Sequence, residues 1–215
     1  MPTLAATVDI WQHHASTDRS TCVMPDGCRD LIWHAPPGQR PEWFVTDLAD
    51  HRYDVPGTVG ERFWGFRMQP GTRIDRARLL AAVAERPGFD ASDILPILHD
   101  CNHLDAAVHE ALLALADCDS VERAARALGV AERTLQRLVG AATGRSPAYW
   151  KRLARLRRAA RTLAQMSTLA DAAAAWGYVD QAHMTREFQR WLGTTPGALR
   201  SQPDIQHALA ATGYG

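Results

Sequence analysis

The spacing of hydrophobic and polar positions along this 215-residue chain changes near residue 70. Before that point, short β-branched and aromatic runs stand between turn signals: TVDIWQ, STCVM, RDLIWH, EWFVTDL and ERFWGFRMQ. Pro25-Asp26-Gly27, Pro36-Pro37-Gly38 and Pro56-Gly57 separate them. Such runs predict strands, and several at this spacing predict a small all-β sandwich or barrel. After Pro70-Gly71 the period lengthens. DRARLLAAVAE, SDILPILHD and LDAAVHEALLALAD have helical spacing and few strand formers. Residues 72–118 therefore read as a helical connector, broken at Pro87-Gly88 and Pro96. From Ser120, a capping residue with Glu122 and Arg123 behind it, almost everything is helical.

Within that helical part the chain echoes itself. Residues 127–147 read ALGVAERTLQRLVGAATGRSP, and residues 175–196 read AWGYVDQAHMTREFQRWLGTTP. Each has Ala-x-Gly, a short turn, a helix, then Gly-x-Ser/Thr-Pro. Leu135, Arg137, Val139, Gly144, Ser146 and Pro147 match Met184, Arg186, Phe188, Gly193, Thr195 and Pro196 at a constant offset. This is an internal repeat of a helix–turn–helix unit. Ala124, Ala125 and Leu128 stripe the first helix, and Gly129 takes the left-handed turn that ends it. The next helix, over residues 132–142, sets Leu135, Leu138 and Val139 on one face and Arg133, Gln136 and Arg137 largely on the other. In the second unit Met184, Phe188 and Trp191 point inward, Asp180 caps the helix, and Gln181, Ala182, His183, Thr185 and Arg186 fall on or near the exposed side. Arg and Gln are the side chains whose forked donors and amides fit base edges in the major groove. Between the units, SPAYWKRLARLRRAARTLAQ starts on Ser146-Pro147. It carries Lys151, Arg152, Arg155, Arg157, Arg158 and Arg161 beside an apolar side. Such a helix holds two units at a fixed separation.

These elements resemble a known family. ALGVAERTLQRL, ATGRSPAYW, RLRRAARTL and AAAAWGYVDQAHMTREFQRWLGTTPGALR make residues 104–200 similar to the DNA-binding domain of the AraC/XylS family of bacterial transcription regulators. The last stretch is close to the signature A-x-x-x-G-[YF]-x-[DS]-Q-[SA]-[HY]-[FM]-x-R-x-F-x-x-x-x-G-x-[ST]-P-x-x-[FY]-R. Leu199 stands where an aromatic is usual, and Val139-Gly140 where a Phe-basic pair is usual. The resemblance implies an α+β chain: a small N-terminal all-β, cupin-like domain over residues 1–71, a helical connector over 72–103, an all-α domain with two helix-turn-helix units over 104–200, and a C-terminal tail over 201–215. It implies a sequence-specific DNA-binding transcription regulator with two recognition helices in successive major grooves, controlled by a small ligand at the front domain. Arg133, Gln136, Arg137, Gln181, Ala182, His183 and Arg186 are the expected DNA-reading residues, with Thr134, Thr185 and Arg190 as phosphate contacts. Double-stranded DNA is the expected partner. RNA polymerase, a small-molecule effector and a second copy of the chain are further candidates.

Charge sharpens this picture. Lys and Arg balance Asp and Glu, 24 against 24, but residues 120–200 carry 14 basic and 5 acidic residues, and residues 1–119 carry 10 and 18. A basic back half calls for an anionic partner, and the acidic front half is a candidate restraint on it. The first residues lack the pattern of a signal peptide. No stretch approaches the roughly 18 uncharged apolar residues of a membrane span, so a cytoplasmic protein without a membrane partner is expected.

The front half offers weaker chemistry. VMPDGCRDLIW and RFWGFRMQPG resemble the short N-terminal domain of some regulators of this class. Trp11, Trp33, Trp43, Phe44, Tyr53, Phe63, Trp64 and Phe66 either fill a small core or line a ligand pocket. His13, His14, His34 and His51 have no obvious ligand spacing, so no metal or other cofactor is expected. Asp26 and Asp30 read as a turn residue and a strand opener rather than catalytic carboxylates. Cys22, Cys28, Cys101 and Cys118 include no C-x-x-C pair and read as free thiols. With no nucleophile–base arrangement, phosphate loop or H-E-x-x-H motif, no enzyme activity is expected. The alternatives are a cupin-like metal-dependent enzyme fused to a DNA-binding module, and a protein-interaction adaptor.

Overall fold

The structure, a computed structural model, describes residues 6–84, 86 and 90–215. The front half begins with β1 (Thr7–His14), β2 (Thr21–Val23), β3 (Arg29–Ala35), β4 (Glu42–Val45), β5 (Tyr53–Val55) and β6 (Arg62–Met68). An antiparallel sheet runs β1-β6-β3-β4, and β2 pairs separately with β5. The sheet register places Trp11 opposite Gly65. A Cβ on Gly65 would lie 2.0 Å from the Trp11 indole, so the missing side chain is what lets that ring cross the neighbouring strand. The indole N–H then donates to the Asp30 carboxylate at 3.1 Å.

The next helices cover the other face of the sheet. After the short β7 (Arg73–Ile74), α1 (Arg76–Val83) and α2 (Ala91–Cys101) pack Leu79, Val83, Ile94 and Leu98 against Leu31, Val45, Phe66 and Met68. Asp75 and Asp90 cap these helices. Pro96, expected as a break, lies inside α2, which continues through it. Burial of the apolar face, with Ile94 and Leu98 almost wholly enclosed, outweighs the missing N–H. The expected break at Pro87-Gly88 lies outside the described residues. Two-residue β8 (Asn102–His103) pairs with β7 and was not legible in the sequence.

The back half is helical throughout: α3 (Ala106–Asp117), α4 (Val121–Ala127), α5 (Glu132–Thr143), α6 (Pro147–Thr162), α7 (Leu169–Ala175), α8 (Gln181–Leu192), α9 (Pro196–Leu199) and α10 (Pro203–Ala210). One continuous core joins them, with Trp150, Leu153 and Leu156 of α6 meeting Leu135 and Val139 of α5 and Phe188 of α8. None of the described helices is long and apolar enough to cross a membrane.

The halves are docked, and the Pro25-Asp26-Gly27 turn is the point of docking. The Pro25 carbonyl accepts from Arg157 of α6 at 3.2 Å, and the Asp26 carbonyl accepts from the Tyr214 main-chain N–H at 2.8 Å. Gly27 has φ of +74°, and a Cβ there would sit 2.8 Å from the Trp150 ring. Only glycine meets both demands. Met24 joins the back-half core beside Tyr214, whose hydroxyl donates to the Leu112 carbonyl at 2.8 Å.

Candidate nucleic-acid interface and front-half cleft

Each recognition helix is set by the same local devices. Gly129 and Gly177 have φ of +68° and +65° and end the preceding helices α4 and α7. Asp180 accepts from the His183 N–H at 2.6 Å and caps α8; Ala131 opens α5 without a side-chain cap. Leu135 and Val139 in α5, and Met184 and Phe188 in α8, are fully buried. That burial fixes the rotation of both helices and turns the opposite faces to solvent. Tyr178 packs under the second turn, beneath the Arg155 guanidinium.

The outer faces carry most of the expected readers. Arg133, Thr134, Gln136 and Arg137 are exposed on α5, as are Gln181, Ala182, Arg186 and Arg190 on α8. His183 and Thr185 are partly covered. The His183 ring stands edge-on to Tyr178 at 5.4 Å, with its Nδ1 3.4 Å from the Val179 N–H, and Thr185 donates its hydroxyl to the Gln181 carbonyl at 2.9 Å. Both groups thus serve the helix locally.

Most other back-half cations are tied down. Arg123 and Arg126 pair with Asp119 and Glu122, Arg155 with Glu187, and Arg158 with Asp117. Arg161 and Arg200 donate to main-chain carbonyls. Arg157 has no exposed surface; it holds Pro25 from the front half and Leu209 and Ala211 from the end of the chain. Burial, reinforced by nearby Arg161, pushes its guanidinium down to about 10, so it stays charged at neutral pH. Among the described residues of 120–200, the exposed basic side chains with no ion pair or hydrogen bond are Arg133, Arg137, Arg186 and Arg190, two on each recognition helix.

A family model described as a helix-turn-helix domain matches residues 124–202. Residues 124–202 thus form a helix-turn-helix domain. DNA-binding transcription regulation is the class of function this domain brings. Among solved structures, the C-terminal domain of AraT, a response regulator from Geobacillus stearothermophilus, is similar at 22% identity and a TM-score of 0.40, covering 46% of this chain and 86% of that one. ToxT from Vibrio cholerae is similar at 7% identity and a TM-score of 0.46, covering 94% of this chain and 98% of that one. A second ToxT structure, from strain O395, gives 7% identity and a TM-score of 0.45. No curated protein matches the chain.

The helix-turn-helix domain is also touched by the front half near the ends of both recognition helices. Asp50, in the loop between β4 and β5, accepts from Arg145 at 2.6 and 3.2 Å just beyond α5. Two residues on, the Arg52 N–H donates to the Trp191 carbonyl of α8 at 2.8 Å. The same loop forms one wall of a front-half cleft of about 190 Å³. Trp11, Phe44, Tyr53 and Phe63 line it, together with His13, Cys28, Asp26, Asp30 and Arg67. Arg67 lies 3.2 Å from Asp26 and 3.1 Å from Asp30, and donates to the Thr212 carbonyl at 2.8 Å. Along the chain Asp26 and Asp30 are separate backbone features; Arg67, some forty residues away, joins them, and no local signal announces that. Burial pushes the Cys28 thiol up, which suits an inert thiol. His34 stacks on Phe63 and faces Glu42 and Glu61. Among the described residues no group of three or more His, Cys, Asp or Glu side chains is placed to hold a metal ion.

Proposed function

We propose that the chain is a sequence-specific regulator whose single subunit reads two successive major-groove segments with α5 and α8. One observation carries this reading: among the described residues of 120–200, the unpaired, exposed basic side chains stand on those two helices, while Arg155, Arg157, Arg158 and Arg161 of the helix between them are held by acids or main-chain carbonyls. Arg137 and Arg186, at matching positions of the repeat, are the principal base readers. Arg133, Gln136, Gln181 and Ala182 flank them, and Thr134 and Arg190 reach phosphates. His183 and Thr185 contribute after leaving their local partners. The contact of the 46–52 loop with both units supports control from the front half, by a small ligand held in the cleft that this loop helps to line.

Selection from a random DNA pool tests the reading. The two helices differ in outer sequence, so the selected site is asymmetric, with two half-sites about 34 Å apart, one turn of DNA, bound by one chain. A strict palindrome that requires two chains overturns it.

A further inference from the structure

The cleft has a chemical character that narrows its occupant. Its aromatic side chains come from two sheets: Trp11, Phe63 and Phe44 from the β1-β6-β3-β4 sheet, where the register lines Trp11 and Phe44 up across the strands, and Tyr53 from β5 of the separate β2-β5 pair. Its charged side chains are three carboxylates, Asp26, Asp30 and Asp47, against one guanidinium, Arg67. Asp47 stands at the open rim beside Arg76. Inside, Arg67 is shared between two carboxylates. Arg157, on the far side of the Pro25 turn, gives its donors to main-chain carbonyls. Among the side chains that line the cleft, carboxylates therefore outnumber guanidiniums, and Arg157 acts on Asp26 from behind the wall through its charge alone.

We propose that the cleft is a binding site for a small organic cation, a protonated or quaternary amine on an aromatic or branched aliphatic body. The inference rests on the ligand-controlled reading above and assigns the ligand its chemical class. Carboxylates give an ammonium group charge-assisted acceptors. Aromatic walls attract the same cation through their ring quadrupoles while covering its apolar body. An anion of equal shape meets Asp26 and Asp30 instead, and its one possible partner, Arg67, is already held by both. Size sets the other limit. An apolar protein cavity of about 150 Å³ accepts benzene, so this cleft accepts a single ring with a short amine tail. Burial, which the charge of Arg67 offsets only in part, holds the Asp26 carboxyl above its usual range.

Occupancy bears directly on the DNA-binding half. A cation drawn to Asp26 and Asp30 competes with Arg67, whose other donor holds Thr212 beside the Arg157 junction. The opposite wall, residues 46–53, carries Asp50 and Arg52 to the two helix-turn-helix units.

Calorimetry on the full chain without DNA, using three probes of one shape, tests the class: phenethylamine, 2-phenylethanol and 3-phenylpropionate at neutral pH. The amine is expected to bind at least tenfold more tightly than the carboxylate, with the alcohol between. Asp30→Asn is expected to weaken the amine about tenfold and to leave the alcohol unchanged, because only the amine uses the charge. Should Asp30→Asn fail to fold, Phe44→Leu, at the partly exposed wall, serves instead, with both the amine and the alcohol weakened. Equal affinities for amine and carboxylate, preference for the carboxylate, or no binding of any probe overturns the proposal. The selected DNA site is measured on the same protein without ligand. DNA binding with no amine preference sinks this inference alone, and amine binding without DNA binding sinks the regulator reading alone.

Discussion

Replacing Arg157 by Met measures how firmly the two halves are joined. The guanidinium is wholly buried and donates to three carbonyls: Pro25 at 3.2 Å, Leu209 at 3.4 Å and Ala211 at 3.0 Å. Its Nε finds no acceptor. Met has similar length and fills the space, so the change removes charge and donors rather than volume. Each carbonyl left without its donor costs about 1–3 kcal/mol, and two of these contacts are long, which favours the lower end. Against that, a buried cation costs several kcal/mol to desolvate, and its removal returns part of this. The balance is a loss of about 2–4 kcal/mol. For a chain of this size each kcal/mol lowers Tm by roughly 2–4 °C, so a fall of about 4–16 °C is expected. Thermal unfolding followed by tryptophan fluorescence reads it, with Arg158→Met as the comparison. Arg158 is partly exposed and pairs with Asp117 near the surface, so its loss is expected to cost less. An Arg157→Met protein as stable as the parent, or more stable, would refute the reasoning: desolvation would then exceed what the three carbonyls return.

Two further outcomes follow from the same structure. Arg186→Ala is expected to cost roughly 1–3 kcal/mol on the selected site and relax preference at one base pair, whereas Arg190→Ala weakens all sequences alike and lowers the salt slope by about one; competition against scrambled DNA separates them, and identical profiles for the two variants contradict the assignment. Asp26 is held above the usual carboxylate range, chiefly by burial that Arg67 offsets only in part, so the folded chain keeps this proton to higher pH than the unfolded chain does. Its contribution is present in full below the ordinary value of 3.8 and is lost as pH rises through the raised pKa. The stability of the parent relative to Asp26→Asn should therefore fall as pH climbs from about 4, and a urea-denaturation series in which it rises instead contradicts the direction.

The sequence by itself determined the parts built from local signals. Glycine followed by a short turn and an i, i+3, i+4 apolar stripe requires a helix of known rotation, so the exposure of Arg137 and Arg186 follows from the burial of Leu135, Val139, Met184 and Phe188. The same logic located the front strands, because β-branched runs between Pro-Gly turns have few other solutions. Only the tertiary structure decided what depends on residues far apart in the chain. Six basic residues in one helix look alike in the sequence, yet Arg157 is a buried link between halves, Arg155 and Arg158 pair with acids, and, among the described residues of 120–200, the exposed, unpaired arginines lie on α5 and α8. Pro25-Asp26-Gly27 reads as a turn. Its role as the docking point depends on Trp150, Arg157 and Tyr214 arriving from more than a hundred residues downstream. The cleft and its carboxylate-rich lining belong to that same class, since a pocket is a property of opposed walls. Periodicity reports which face of an element is buried, not what the face is buried against.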